Sequence, residues 1–284
     1  MKTRPQCDAS VAQAQELACL LPVGEIPRLL LQESGVTEET LDALVRDGSL
    51  EPADESGLLR WTNPETPGQI KQGMTPATRQ TRSLALAEAA RDLRLAPAQV
   101  AAFFEEAQRL DSARDFWLKA AEKACAAGDY ASAMSWMERA LRLWPWTHKP
   151  TDRVRALKEA ARCATNAGMR EQADAAWREL ADYAADTRRP ALEVEALGQL
   201  AACATDIAQI GHCLRRAADL ATEALPPAES VPVLLDYVDH LATRARISAA
   251  SQTLEKAARL VEDGAEPGLL SVVRGWQGLV DRKS

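Results

Sequence analysis

The sequence has little glycine, tyrosine or phenylalanine, and it contains no long hydrophobic run. Its 284 residues include 14 Gly, 3 Tyr and 3 Phe. Alanine and leucine dominate instead, which suits small residues packed between helices and is a poor composition for a β-sandwich. The longest apolar stretches, such as residues 18–23, are far shorter than the roughly 20 residues that span a bilayer. We therefore expect a helical protein and no membrane partner.

Basic residues are also fewer than acidic ones. The chain has 34 Lys and Arg residues against 41 Asp and Glu, which gives a formal net charge of −7. Because an acidic chain lacks the broad positive field that attracts phosphate backbones, we expect no nucleic-acid partner. Lys2 and Arg4 resemble the start of a signal peptide. The segment that would have to be hydrophobic is interrupted by Gln13, Gln15 and Glu16, so the sequence predicts a cytoplasmic protein.

Motifs for catalysis and metal binding are missing as well. The sequence has no H-E-x-x-H, no G-x-S-x-G and no glycine-rich nucleotide loop. The cysteines form no C-x-x-C pair and no metal-ligand spacing, as expected for reduced cytoplasmic thiols. They are Cys7, Cys19, Cys125, Cys163, Cys203 and Cys213. Among His148, His212 and His240, only the last has a neighbouring carboxylate, and we interpret it as a helix-surface residue. We predict no catalytic residue, no cofactor and no metal, and hence not an enzyme.

A helical repeat is clearest in residues 114–145, which read RDFWLKAAEKACAAGDYASAMSWMERALRLWP. Trp117, Ala121 and Ala124 fall on one stripe of a first helix. Gly128 can end that helix because glycine tolerates a left-handed conformation. The facing stripe of a second helix is formed by Ala133, Met137 and Ala140, and Pro145 closes the unit. The pattern resembles the tetratricopeptide repeat (TPR), which implies an all-α fold of helix pairs stacked into a solenoid.

Weaker copies extend this pattern along the chain. Their turns are centred on Leu95, Gly128, Gly168, Thr205 and Ala245, which are 33, 40, 37 and 40 residues apart. Spacings above 34 predict lengthened helices or inserted loops. A last helix near residues 269–280, which carries Trp276, would cap the open end. The sequence thus predicts about five helix pairs plus a capping helix. The alternative is a generic antiparallel bundle, which has the same helices with different neighbours.

The first 75 residues follow another pattern. Helices are expected over 11–21, over 26–32 and after Thr37, and a polar turn at 49–51 with the segment 58–61 suggests two short strands. Thr37 is suited to cap the third helix, with Thr40 where a capping box has Glu or Gln, and Gly48 ends it. Three helices followed by a two-stranded flap predict a winged-helix-like domain over 1–75, with the TPR-like domain over 76–284.

A winged helix followed by a TPR array resembles the region after the nucleotide-binding domain in STAND-type signalling NTPases and large modular transcription activators. The segments ELACLLPVGEIPRLLL, TEETLDALVRDGSL, LLRWTNP and TPATRQTRSLALAEAARD follow that family's order. The chain has no G-x-x-x-x-G-K-[ST] phosphate loop, so that family's nucleotide switch is missing. The chain is then a fragment, a free-standing relative that has lost the nucleotide-binding domain, or the partner of such a domain on another chain.

Acidic residues argue against DNA reading by the first domain. Its third helix, which would enter the major groove, carries Glu38, Glu39, Asp42 and Asp47 against only Arg46. Residues 1–75 contain 6 basic and 12 acidic residues, a net charge of −6. Since base readout normally needs Arg, Lys, Asn or Gln in the groove, we expect a packing role for this helix.

The resemblance to TPR arrays also implies a partner-binding groove. In that family the first helix of each pair lines a concave surface. The corresponding positions are Arg155, Lys158, Arg162, Thr165 and Asn166 in one copy, and Leu192, Glu195, Gln199 and Ala202 in the next. Basic and amide side chains would bind an acidic segment or a chain-terminal carboxylate. The alternative is an ordinary solvated helix face.

Trp144 and Trp146 flank Pro145 in a connector. They are candidates for an aromatic anchor that contacts a partner. Alternatively, they fill the junction between adjacent repeats.

Together these features predict a non-enzymatic scaffold or regulatory adaptor in signal transduction, which binds another protein such as a signalling NTPase, a protease or another effector. The alternative is the sensor arm of a split or truncated STAND-type NTPase or transcription activator, which binds a small inducer or an inhibitory protein. An enzyme with an unfamiliar helical active site is the third hypothesis.

Overall fold

The computed structural model describes residues 4–22, 24–53, 57–264 and 267–282. These residues form helices α1 (Arg4–Cys19), α2 (Arg28–Glu33), α3 (Glu38–Arg46), α4 (Thr66–Gly73), α5 (Pro76–Asp92), α6 (Pro97–Glu106), α7 (Leu110–Ala126), α8 (Tyr130–Arg142), α9 (Pro150–Asn166), α10 (Arg170–Asp186), α11 (Pro190–Cys203), α12 (Ile207–Ala224), α13 (Pro227–Thr243), α14 (Ile247–Gly264) and α15 (Pro267–Asp281), and strands β1 (Ile26–Pro27), β2 (Leu50–Pro52) and β3 (Leu58–Trp61). The chain divides into two compact units, Met1–His148 and Lys149–Ser284.

The first unit begins with three helices and a small antiparallel sheet. The strand order is β1-β3-β2, with Ile26 opposite Leu59 and Leu50 opposite Trp61. This arrangement fits the predicted winged-helix-like region. The helix expected from residue 26 begins at Arg28 instead, because Ile26 and Pro27 form the unpredicted edge strand β1, and a sheet tolerates proline only at an edge. Strand β2 starts within the expected polar turn, where Leu50 is fully buried and pairs with Trp61 of β3.

The core of this region continues into the helices that follow. Leu17, Leu41 and Leu86 belong to one buried cluster that also contains Trp117 of α7. Helix α1 packs against α4 and α5, and α4 was not expected from the sequence. The predicted boundary after residue 75 lies between α4 and α5 and stays a prediction.

Two helix pairs complete the first unit, α5 with α6 and α7 with α8, and each helix packs against the next. Trp117 is buried, and its Nε1 donates a hydrogen bond of 2.8 Å to Glu105 of α6. Gly128 has φ +78° between α7 and α8. The left-handed turn expected at this glycine is therefore confirmed.

The second unit contains three helix pairs and the last helix. Helices α9 to α15 each pack against the next in sequence. Small residues such as Ala161, Ala173 and Ala217 are fully buried where the helices approach one another. Among the described helices α9 to α14, no two that are not consecutive pack extensively, as a closed bundle would require, so the predicted five pairs with a terminal helix are confirmed. None of the described helices is both long enough and apolar enough to cross a membrane.

Candidate functional site

The first helices of two consecutive pairs lie side by side in the second unit. Lys158 of α9 forms an ion pair of 2.5 Å with Glu195 of α11. Farther along the same helices, the hydroxyl of Thr165 lies 4.0 Å from Sγ of Cys203. These contacts bring Lys158 and Thr165 beside α11, and the other predicted residues lie on the same two helices. We call the predicted set the first-helix surface, comprising Arg155, Lys158, Arg162, Thr165, Asn166, Glu195 and Gln199.

The arginines of the first-helix surface are exposed, and each is paired with an acidic side chain on its own helix. The side chain of Arg155 is 76% exposed and lies 3.3 Å from Asp152. That of Arg162 is 63% exposed and lies 3.2 Å from Glu159. Lys158 is half-buried against Glu195. The surface is thus mixed in charge rather than uniformly basic.

Polar side chains that are not charged complete the first-helix surface. The hydroxyl of Thr165 donates a hydrogen bond of 2.8 Å to the carbonyl oxygen of Ala161. The amides of Asn166 and Gln199 are exposed. Within the part of the chain that the structure describes, neither amide makes a side-chain hydrogen bond. Both remain available to the backbone or side chains of another molecule.

The two tryptophans of the connector lie in the first unit and differ in exposure. Trp144 is buried, and its Nε1 donates a hydrogen bond of 2.7 Å to the carbonyl oxygen of His148. The guanidinium of Arg114 lies over its ring at 4.7 Å. Trp146 is half-buried. Packing explains the position of Trp144, and a partner contact by either ring stays a prediction.

Cys19 has the environment of a structural thiol. It is buried, and its Sγ lies 3.7 Å from Sδ of Met74. Burial raises the pKa of Cys19 to about 11. Since the thiolate is the reactive form, this cysteine is a poor nucleophile near neutral pH. Among the residues the structure describes, no group of His, Cys, Asp and Glu could hold a metal ion.

Sequence reasoning missed a cleft in the second unit. The cleft has a volume of about 760 Å³ and lies between the first half of α12 and the end of α13. His240, interpreted from the sequence as a helix-surface residue, is half-buried and lines this cleft together with His212. The two histidines are 28 residues apart in the chain. No local motif could bring them together, because only the packing of α12 on α13 does so.

Comparisons with known proteins give no assignment by sequence. No protein-family model matches the chain, and no curated protein matches it. Among solved structures, the apo form of RapI matches with 13% identity and a TM-score of 0.45, over 76% of this chain and 63% of its own. Aspartyl phosphate phosphatase F from Bacillus subtilis matches with 12% identity and a TM-score of 0.44, over 99% of this chain and 80% of its own. A Rap protein complexed with competence and sporulation factor has 12% identity, a TM-score of 0.40 and coverages of 95% and 80%.

All three TM-scores are below 0.5, and all three identities are below 25%. Likenesses of this size assign no function to the chain.

Proposed function

We propose that this protein is a non-enzymatic adaptor that binds a partner protein through the first-helix surface. The observation that supports the proposal is the ion pair between Lys158 and Glu195, which joins the first helices of two pairs into one polar face. That face presents exposed arginines beside exposed amides. Such a face suits an extended peptide segment, whose backbone would bond the amides while its side chains meet the charges.

The chemistry of the surface favours an acidic segment or a chain-terminal carboxylate. Among the described residues, Arg155 and Arg162 are paired only with exposed side chains on their own helix. Exposed ion pairs of this kind contribute about 0–1 kcal/mol. A carboxylate of the partner can therefore replace Asp152 or Glu159 at low cost and gain a bidentate contact with the guanidinium. Glu195 would repel a wrongly placed acidic residue, which adds specificity.

A charge-reversal variant tests the adaptor function. We expect Arg155→Glu with Arg162→Glu to lower the affinity for the partner by at least about tenfold, because two favourable charge contacts become repulsive. Partners are to be captured from the native host on the wild-type protein, identified, purified and measured by titration calorimetry.

The matched control is Arg170→Glu with Arg178→Glu, which makes the same change of charge on α10. It should leave the affinity within about twofold of wild type, since substitutions that share no contact with the binding site act independently of it. Circular dichroism checks that both variants keep their helical content. Equal affinity in the two double variants would exclude the first-helix surface as the binding site.

A second candidate is the sensor arm of a split signalling NTPase or transcription activator. It is supported by the order of elements in the first unit, where three helices with a small antiparallel sheet precede the helix pairs. Recovery of a stable protein complex from the host favours the adaptor. Recovery of a small ligand alone favours the sensor arm.

A further inference from the structure

The cleft between α12 and α13 combines an apolar lining with positive charge. Its apolar part includes Ile207, Tyr237 and Leu241. Ile207 is 48% exposed, so it presents apolar surface at the opening of the cleft. The cleft volume of about 760 Å³ lies in the range of small-molecule sites.

The charged lining of the cleft is almost entirely basic. Arg215, Arg244 and Arg246 surround it with His212 and His240. Within the described ranges of the chain, none of the three arginines has a carboxylate oxygen within 4.0 Å. In a protein with a net charge of −7, three uncompensated guanidinium groups at one opening form a local site for an anion.

The only carboxylate that lines the cleft within the described residues is already engaged. Asp206 caps α12 and accepts hydrogen bonds of 3.2 Å from the backbone N–H groups of Ala208 and Gln209. The carboxylate therefore neither pairs with the arginines nor leaves the end of α12 free for an anion. An anion in this cleft would be held by the arginine and histidine side chains instead.

Gly211 allows the two helices to approach one another at the cleft. A Cβ built at this position would lie 2.8 Å from Nε2 of His240, which is closer than real contacts. A glycine inside a helix costs about 1 kcal/mol relative to alanine. The position of the imidazole in the cleft thus depends on a residue that is unfavourable for the helix itself.

We propose that this cleft binds a small organic anion, a carboxylate or phosphate group attached to an apolar body. The anionic group would contact Arg244, Arg246 and His240, and the apolar body would cover Ile207 and Tyr237. This site is separate from the first-helix surface and goes beyond the adaptor function.

The experiment uses two fluorescent probes with nearly the same apolar body. 8-Anilinonaphthalene-1-sulfonate carries an anionic group, and N-phenyl-1-naphthylamine lacks it. We expect the 284-residue chain with Arg244→Gln and Arg246→Gln to bind the sulfonate at least about tenfold more weakly, the equivalent of one lost charged hydrogen bond. Binding of the neutral probe should stay within about twofold, because the apolar lining is unchanged.

The matched control is Arg259→Gln with Arg274→Gln, which removes the same charge from α14 and α15. It should bind both probes like the wild-type protein. The proposal is overturned if this control weakens the sulfonate as much as the cleft variant does, because net charge alone then explains the effect. It is also overturned if the cleft variant loses both probes equally or neither.

Displacement of the sulfonate identifies the chemical source of the anion. Octanoate and octyl phosphate carry the same chain on the two candidate groups, and 1-octanol is the neutral control. Displacement by octanoate alone assigns a carboxylate ligand, and displacement by octyl phosphate alone assigns a phosphate ligand. Displacement by both means that the cleft accepts either group. Equal displacement by 1-octanol contradicts the proposal.

The Gly211→Ala variant tests the geometry independently of charge. The added methyl group would displace the imidazole of His240, so we expect weaker sulfonate binding by about threefold or more, on the order of 1 kcal/mol. The helix itself should become more stable, since alanine replaces glycine. A loss of affinity for the sulfonate would therefore not be caused by unfolding. Unchanged affinity for the sulfonate would remove His240 from the site.

Binding should also depend on pH through His240. Burial lowers the pKa of His240, Arg244 and Arg246 lower it further, and Asp239 raises it. The cleft's other titratable or charged groups are Asp206, which caps α12, His212 and Arg215 of α12, and Tyr237 of α13. A bound anion favours the imidazolium and so raises this pKa, which means that binding takes up a proton. The dissociation constant of the sulfonate should fall as the pH is lowered through the pKa of His240, and His240→Gln should flatten that dependence more than His212→Gln.

Discussion

Trp144 belongs to a small cluster that joins α8 to α7. Its ring lies against the guanidinium of Arg114, which is only 2% exposed although it carries a full charge. Asp111 and Asp115 lie 2.8 and 2.9 Å from that guanidinium. A buried charge is tolerated only when it is paired and hydrogen-bonded. The tryptophan covers the buried guanidinium, whereas the carboxylates of Asp111 and Asp115 stay 74% and 57% exposed, so the contribution of its ring is structural.

At the residue scale we predict that the two tryptophans contribute unequally to the free energy of unfolding. Trp144→Ala should lower the free energy of unfolding by about 3 kcal/mol, because it opens a cavity over a buried arginine. Trp146→Ala should cost about 1 kcal/mol or less, since its ring is only half-buried. Urea unfolding followed by circular dichroism measures both without using tryptophan fluorescence. Similar losses in the two variants would contradict the packing role of Trp144.

At the scale of elements, one type of turn ends most of the described helices. After α7, the N–H of Asp129 donates to the carbonyl of Ala124, and Gly128 has φ +78°. After α10, the N–H of Arg189 donates to the carbonyl of Ala184 in the same way, yet the left-handed residue is Arg188 with φ 53°. The hydrogen bonds of this helix end are therefore formed with or without glycine.

A glycine substitution at such a turn should stabilise the protein. Arg188 is exposed, so Arg188→Gly should raise the free energy of unfolding by about 1 kcal/mol, because it relieves the left-handed strain of a side chain. The same substitution inside a helix, Arg259→Gly, should lower it by about 1 kcal/mol. Thermal and urea unfolding of both variants measures the difference. Destabilisation by Arg188→Gly would show that this turn is not strained.

The same elements explain what the sequence could and could not predict. Gly128 and Gly168 marked two turns, because glycine is the residue that favours positive φ. Arg188 and Gln108 occupy equivalent turns without any such signal, and the surrounding packing imposes their conformation. Helix pairing followed from local periodicity, whereas the cleft depends on contacts between α12 and α13, which local patterns do not encode.

At the scale of the whole molecule, each unit contains a hydrophobic cluster of its own. The cluster of the first unit runs from Ala14 to Ala140. In the second unit, a cluster built on residues such as Leu234, Leu254 and Val280 lies entirely within α12 to α15. Arrays of helix pairs gain stability from the interfaces between neighbouring pairs, and at least three repeats are needed for a stable array. The second unit has three pairs and a last helix, so it meets that condition.

We therefore predict that residues 149–284 fold when they are produced alone. The fragment should show the helical circular dichroism of α9 to α15 and a cooperative urea transition, because its buried alanines and leucines need no residue of the first unit to cover the cluster around Leu234. It should also retain sulfonate binding, since every residue that lines the cleft belongs to it. Circular dichroism and the fluorescence titration test these two properties separately. A fragment without helical signal would contradict the independence of the second unit, whereas a helical fragment that loses the sulfonate would mean that the cleft requires the first unit.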